Sequence, residues 1–133
     1  MNKLVVDGNN ATLGRLASFV AKKALLGNEI IIVNCENVVI SGKPKSIIGE
    51  YQVMRKKGGS SLKGPFFPKM PERIVKRTIR GMLSYKQKRG SDALKRIICY
   101  NQTPEEFKEV KKIISGKGKN ISKIKLKSLS SKI

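Results

Sequence analysis

Residues 4–33 read LVVDGNNATLGRLASFVAKKALLGNEIIIV, and this stretch decides the fold class. It begins with the apolar run 4–6, which is followed by the turn-forming residues 7–10, and it ends with the unbroken apolar run 30–33. Short apolar runs bounded by turn residues are typical of buried strands, and an unbroken run indicates that both faces of the strand are covered. The two ends of this stretch therefore predict two buried strands.

Between these strands the apolar residues recur with the period of a helix. At i, i+3, i+4, i+7 and i+11 they form a single stripe, made of Leu13, Leu16, Ala17, Val20 and Ala24. Thr12 stands at the predicted N-cap, and Gly27 can adopt the left-handed conformation that ends a helix. A strand–helix–strand unit of this kind joins two parallel strands by a right-handed crossover. The fold class is therefore α/β, with a small and mainly parallel sheet.

The rest of the chain predicts further elements around this unit. A third short strand is expected over 38–40, a helix over 45–57 and a last strand over 97–100. Ser91 and Asp92 can cap a short helix over 93–95, and Thr103 begins a helix that is expected to run to about Ile114. Residues 58–71 predict a long irregular loop, anchored by Phe66 and Phe67. We therefore divide the chain into one domain, residues 1–114, and a basic C-terminal tail, residues 115–133, that becomes ordered only on a partner.

Positive charge is concentrated in the middle and at the end of the chain. The 133 residues include 29 Lys and Arg but only 9 Asp and Glu, for a net charge of +20. Residues 1–42 carry four basic and three acidic side chains, whereas residues 43–100 carry sixteen basic and three acidic ones. An excess of positive charge concentrated in part of the chain is typical of a surface that binds nucleic acid. A generally basic, soluble surface is the alternative explanation.

The helix expected after Pro71 carries two opposite faces. Its basic side chains recur at i, i+3, i+4 and i+7, on Arg73, Lys76, Arg77 and Arg80. Its apolar side chains centre on the other face, on Val75, Ile79, Met82 and Leu83. The sequence therefore predicts that one face packs on the domain and that the other presents four cations to a polyanion.

The chain lacks the residues that several functional classes require. No apolar run approaches the length of a membrane span, and the N-terminus has no signal-peptide core. The chain has no histidine, and its two cysteines, Cys35 and Cys99, are far apart in sequence, so we expect buried thiols rather than a zinc site. Pro44 follows Gly42 and Lys43 where a phosphate loop needs Ser or Thr. Asp7 is expected to act in a turn or helix cap rather than in catalysis.

Two sequence blocks carry a resemblance to a known family. The chain contains Leu-Gly-Arg-Leu-Ala-Ser at 13–18 and Arg-Gly-Met-Leu at 80–83, together with Val-Val-Asp-Gly at 5–8 and Val-Asn-Cys-Glu at 33–36. Over residues 3–104 it resembles the universal large-subunit ribosomal protein L13 family in its archaeal and eukaryotic form. Ser84 stands where the family often has proline.

The resemblance implies a three-layer α/β/α domain and a structural role in the large ribosomal subunit, in the cytoplasm. It implies binding and folding of large-subunit rRNA, neighbouring ribosomal proteins as partners, and no catalytic activity, cofactor, metal, membrane or small-molecule substrate. The few aromatic residues favour recognition of RNA shape and backbone over base stacking. The side chains expected to contact the RNA are the basic ones Arg15, Lys43, Lys45, Arg55, Lys56, Lys57, Lys63, Lys69, Arg73, Lys76, Arg77, Arg80, Lys86, Lys88 and Arg89.

Two other classes of function compete with this interpretation. A DNA-binding chromosomal protein would bind duplex DNA and structured RNA with comparable affinity. A small nucleotide-dependent α/β enzyme would need a phosphate-binding loop and a general base, and the sequence shows neither.

Overall fold

A computed structural model of the chain describes residues 3–56, 68–114 and 122–133. The helices are α1 (Leu13–Leu25), α2 (Pro44–Lys56), α3 (Pro71–Met82), α4 (Lys88–Lys95) and α5 (Leu126–Lys132). The strands are β1 (Lys3–Asp7), β2 (Glu29–Val33), β3 (Val39–Ser41), β4 (Ile97–Cys99), β5 (Ile113–Ile114) and β6 (Lys123–Lys125). Short 3₁₀ turns lie at Cys35–Asn37 and Glu105–Phe107.

The central sheet contains four parallel strands in the order β4-β2-β1-β5. The predicted parallel pair is confirmed, because β1 lies beside β2 with Val5 opposite Ile31 and α1 connects the two. Four consecutive residues of β2 are buried, as the unbroken apolar run indicated. The α/β fold class is therefore confirmed.

The residues expected to form the turns and caps around α1 have their predicted roles, with the exception of Thr12. Gly27, which follows the C-cap residue Leu26, has φ +99°, where a side chain would strain the backbone. Asp7 Oδ1 accepts hydrogen bonds from Asn9 N and Asn34 Nδ2, both at 3.0 Å, so the carboxylate serves the turn after β1. Thr12 precedes α1 in an extended conformation, but within the described residues its hydroxyl makes no capping hydrogen bond.

The two faces of the sheet are covered by different kinds of structure. On one face, Val6, Ile30 and Ile32 pack with Leu16 of α1 and Ile79 of α3 in the main core. On the other face, a smaller cluster contains Val5, Ile31 and Val33 together with the rings of Phe107 and Tyr100, whose centroids are 6.2 Å apart. Within the described residues this third layer comes from a 3₁₀ turn and its flanking chain rather than from an α-helix.

The helix predicted from Thr103 to about Ile114 is wrong. The chain instead makes the short 3₁₀ turn at Glu105–Phe107 and then β5, which pairs with Val6 and Asp7 of β1. Phe107 is buried against the second face of the sheet. Tertiary contacts with the sheet therefore outweigh the local start signals of Thr103 and Pro104.

The predicted third strand exists, but it belongs to a different sheet. β3 pairs with β6 in antiparallel register, with Val39 opposite Lys125 and Ser41 opposite Lys123. The prediction that the tail orders only on a partner is wrong for residues 122–133. Leu126 and Leu129 are fully buried in the main core, and this burial offsets the entropy of ordering the segment.

Other predicted elements differ mainly at their ends. α2 agrees with the predicted helix as far as Lys56, and α3 begins at Pro71 as expected. α4 begins at Lys88, earlier than the predicted cap at Ser91 and Asp92. The predicted anchors Phe66 and Phe67 lie outside the described residues. None of the described helices is both long enough and apolar enough to cross a bilayer.

Candidate nucleic-acid interface

Helix α3 is held on the domain by one apolar face. Ile74, Val75 and Ile79 are buried, and the helix packs against α1. Pro71 suits the first helical position because its missing N–H has no helical acceptor there. Met82, which the sequence places on this face, is 45% exposed, whereas Leu83 is buried. The apolar face is therefore shifted towards Ile74 relative to the prediction.

The basic face of α3 lines an open cleft of about 280 Å³. Its lining residues are Pro68, Arg73, Lys76, Arg77 and Arg80. The side chains of Arg73 and Arg80 are exposed, and those of Lys76 and Arg77 are half-buried. We call this site the α3 cleft. It brings together all four cations that the helical spacing predicted on one face.

The Arg80 guanidinium is positioned by an aromatic ring. Its Cζ atom lies 4.5 Å from the centroid of the Tyr85 ring, in a cation–π contact. A stacked guanidinium still has its N–H groups in the guanidinium plane, where they can donate to an oxyanion. Tyr85 therefore limits the rotamers of Arg80 while leaving its donors available.

Lys76 makes a different set of contacts from its basic neighbours. Its Nζ atom donates hydrogen bonds to Leu94 O at 2.9 Å and to Ile97 O. Burial lowers the pKa of Lys76 from its ordinary value. The ammonium group thus ties α3 to the end of α4 and to β4, rather than extending into solvent as the helical spacing predicted.

Further basic side chains follow α3 at the start of α4. Lys86, Lys88 and Arg89 are all exposed. They reach this position because Gly90 is buried against the turn after α3, where an added Cβ would lie 2.1 Å from Ser84 O. This backbone contact brings the first turn of α4 close to the end of α3.

The other predicted side chains lie on several elements. Arg15 on α1, Lys43 and Lys45 at the start of α2, Lys56 at its end, and Lys69 before α3 are all exposed. Arg55 is also exposed, but its Nη1 atom donates to Ile133 O at 2.7 Å. Lys57 and Lys63 lie outside the described residues.

Two basic residues absent from the prediction lie next to predicted ones. Lys123 and Lys125 of β6 are exposed, and Gly42 N donates to Ser122 O at 2.8 Å. This contact brings the tail close to Lys43. The alternation of Lys123, Ile124 and Lys125 has the period of a strand with one polar face, and this signal could have indicated β6.

A second, more apolar cleft of about 250 Å³ adjoins the α3 cleft. It lies between α2 and α3, and its lining includes Tyr51, Met54 and Ile74. Pro68 and Arg77 line both clefts. Burial raises the pKa of Tyr51, and the nearby Glu50 adds to the effect. The surface therefore offers cationic and apolar recesses side by side.

Comparison with known proteins identifies the family. The profile of the family described as "Ribosomal protein L13" matches residues 1–106. The chain belongs to the ribosomal protein L13 family. The α3 cleft and the exposed cations at the start of α4 lie within the L13 match, whereas β5, β6 and α5 lie beyond it.

Several archaeal L13-family proteins resemble the chain over most of its length. A large ribosomal subunit protein uL13 from Methanosarcina barkeri is 51% identical over 110 residues, covering 82% of this chain and 78% of the relative. The uL13 of Methanococcoides burtonii is 44% identical over 120 residues, covering 90% and 85%. That of Archaeoglobus fulgidus is 42% identical over 121 residues, covering 90% and 77%. The resemblance inferred from the sequence blocks is thereby confirmed.

Proposed function

We propose that this chain is a structural constituent of the large ribosomal subunit, in the cytoplasm, and that it binds large-subunit rRNA and helps it fold during assembly. The observation that carries the proposal is the α3 cleft, in which Arg73 and Arg80 are exposed on the same helix face. Membership of the L13 family supports it, as do the names of the relatives, which are large-subunit proteins. The proposed role involves no catalysis, cofactor or metal.

The proposed mechanism is electrostatic and depends mainly on the RNA backbone. Arg73 and Arg80 donate paired N–H groups to phosphate oxygens, and the planar guanidinium suits this bidentate contact. Binding releases the counterions that had condensed on the RNA. Because Tyr85 already orients Arg80, less side-chain entropy is lost when the phosphate binds.

The exposed cations near the α3 cleft extend the proposed contact. Lys86, Lys88 and Arg89 continue the basic surface into α4. The apolar cleft beside Tyr51 accommodates a less charged part of the RNA, such as a ribose or a base edge. Together these surfaces fit folded RNA of defined shape better than an extended single strand.

Neighbouring ribosomal proteins are the second proposed class of partner. Val53 on α2 is 57% exposed, and it borders an open hollow with Met54 and Gly49. Exposed apolar side chains of this kind suit contacts with other proteins in a crowded assembly.

Reversing the charge of Arg73 and Arg80 tests the RNA proposal. We expect the double variant Arg73→Glu and Arg80→Glu to bind extracted large-subunit rRNA about 100-fold more weakly, because two charge-assisted contacts are lost. Filter binding at several salt concentrations measures this, and circular dichroism checks the fold. Both side chains are exposed, so the fold should persist.

The matched control changes the same charge on another face. Lys108 and Lys111 are exposed in the segment after Phe107, which packs on the opposite face of the sheet from α3. We expect Lys108→Glu with Lys111→Glu to weaken binding far less. Equal weakening by both pairs would overturn the α3 cleft as the contact. Comparable affinity of the wild type for duplex DNA would favour the chromosomal alternative.

A further inference from the structure

The two cysteines, predicted only as separate buried thiols, lie together in the structure. Cys35 belongs to the main core and is fully buried, and Cys99 packs against the same cluster. Both thiols are free. Cys35 opens the 3₁₀ turn after β2, and Cys99 is the last residue of β4, the edge strand beside β2.

Backbone hydrogen bonds hold the two cysteine segments against each other. Tyr100 N donates to Ile32 O at 2.8 Å, Cys35 N donates to Tyr100 O at 3.1 Å, and Glu36 N donates to Asn101 O at 3.3 Å. These three bonds continue the β2–β4 pairing beyond the ends of the strands. The fold thereby holds the two cysteine-bearing segments side by side, although the cysteines are remote in sequence.

The surroundings of the two thiols differ. Hydrogen bonding with the Cys35 thiol lowers the pKa of Cys99, and the Lys76 ammonium favours its thiolate further, although burial and Glu72 act in the opposite direction. The same thiol contact, together with burial, raises the pKa of Cys35 well above its ordinary value. As a whole residue Cys99 is half-buried, whereas Cys35 is fully buried. Thiolate character makes a thiol reactive, so Cys99 is the better nucleophile of the two.

We propose that Cys35 and Cys99 form a reversible intramolecular disulfide when the protein meets a low-molecular-weight disulfide, with Cys99 as the attacking thiol and Cys35 as the resolving thiol. The Cys99 thiolate attacks one sulfur of the small disulfide, whose S–S bond breaks and releases one thiol. Cys35 then gives up its proton and attacks Cys99 Sγ, releasing the second thiol. Two thiol hydrogens and two electrons pass from the protein to the two small thiols that leave.

The product would connect the turn after β2 covalently to the end of β4. The two sulfurs must close to about 2.05 Å, the length of a disulfide bond. The backbone bonds between the two segments already bring the residues together. Neither sulfur lines the α3 cleft, although Lys76, which does line it, favours the Cys99 thiolate.

Equilibration with glutathione tests the proposal. The folded chain and the chain unfolded in guanidinium chloride are brought to equilibrium with mixtures of reduced and oxidised glutathione, and free thiols are then alkylated. We expect the folded chain to form the bridge at a ratio of oxidised glutathione concentration to the square of reduced glutathione concentration about tenfold lower than the unfolded chain needs, because each bridge releases two molecules of reduced glutathione. The bridged product is identified by mass spectrometry as a peptide pair containing Cys35 and Cys99.

Single variants assign the roles of the two thiols. Cys99→Ser should form neither the bridge nor a glutathione adduct, because the buried Cys35 cannot attack. Cys35→Ala should stop at a glutathione adduct on Cys99, and circular dichroism checks that it folds. The proposal is overturned if the folded wild type stays reduced where the unfolded chain is oxidised, stops at an adduct, or forms only bridges between chains.

Discussion

Among single residues, Lys76 joins three elements through one ammonium group. From α3 it donates to Leu94 O at the end of α4 and to Ile97 O in β4. The helical spacing alone could place Lys76 on the basic face, but it could not show that two carbonyls from later in the chain reach this side chain. A lysine that faces solvent cannot be told from a structural lysine in the sequence. Every residue carries a backbone carbonyl, so no residue type marks the acceptor.

The lowered pKa of Lys76 predicts a dependence of stability on pH. Between that lowered pKa and the ordinary value of 10.5, the unfolded chain holds the Lys76 proton more tightly than the folded one. The free energy of unfolding of the wild type, relative to Lys76→Met, should therefore rise as the pH increases through this window. Urea unfolding at several pH values above neutrality measures the difference.

Cys99 must be controlled in that experiment, since its thiol titrates close to Lys76. Both proteins are therefore compared in a Cys99→Ser background. A difference in stability that stays constant or falls with rising pH would contradict the assignment.

The contact at Gly90 gives a second prediction at the residue scale. A Cβ at this position would lie 2.1 Å from Ser84 O, and that oxygen belongs to the backbone. We expect Gly90→Ala to destabilise the fold by about 3 kcal/mol, as overpacking does in buried sites. The control is Gly49→Ala within α2, where the new Cβ meets no described atom within 4 Å and helix propensity should add about 1 kcal/mol. Chemical denaturation compares the two, and equal effects would refute the close-contact argument.

At the scale of elements, local patterns succeed where one element carries its own signal. The apolar stripe of α1 predicts a helix and the apolar run of β2 predicts a strand, each without reference to the rest of the chain. Over 103–114 the cap signals favour a helix. In the structure, however, Phe107 packs on one face of the sheet and Ile113 pairs with β1 at its edge. A strand as short as β5 forms only because it pairs with β1. Because β1 is remote in sequence, the residues around β5 could not predict this pairing.

The same dependence on neighbours leads to a prediction about the end of the chain. Leu129 of α5 is fully buried, so Leu129→Ala should reduce the free energy of unfolding by about 2–5 kcal/mol. Leu26, after α1, is 68% exposed, and Leu26→Ala should change it by less than about 0.5 kcal/mol. Thermal or urea unfolding distinguishes the two. Equally small effects would mean that residues 122–133 do not stabilise the domain.

At the scale of the whole molecule, the net charge of +20 opposes the compact state. Added salt screens this repulsion. We therefore expect the melting temperature of the RNA-free chain to rise between low and moderate salt by about 3–5 °C, the shift that about 1 kcal/mol produces at this size. Calorimetry in sodium chloride measures it.

The double variant of Arg73 and Arg80 serves as the control for this effect. It carries less positive charge, so its melting temperature should respond less to salt. A melting temperature that falls with salt in the wild type would show that attractive ion pairs, rather than repulsion, dominate.

The pairing of β3 with β6 also bears on the order of events during synthesis. Ser41 lies opposite Lys123, so a ribosome working at about 5–20 residues per second adds the partner strand roughly 4–16 s after β3. During that interval the nascent chain has an open strand edge and an uncovered patch where Leu126 and Leu129 will dock. Nascent chains that lack β6 and α5 therefore expose a strand edge and apolar side chains that these two elements later cover. A chaperone that binds apolar segments would find its target before β6 and α5 are synthesised and lose it once they have docked.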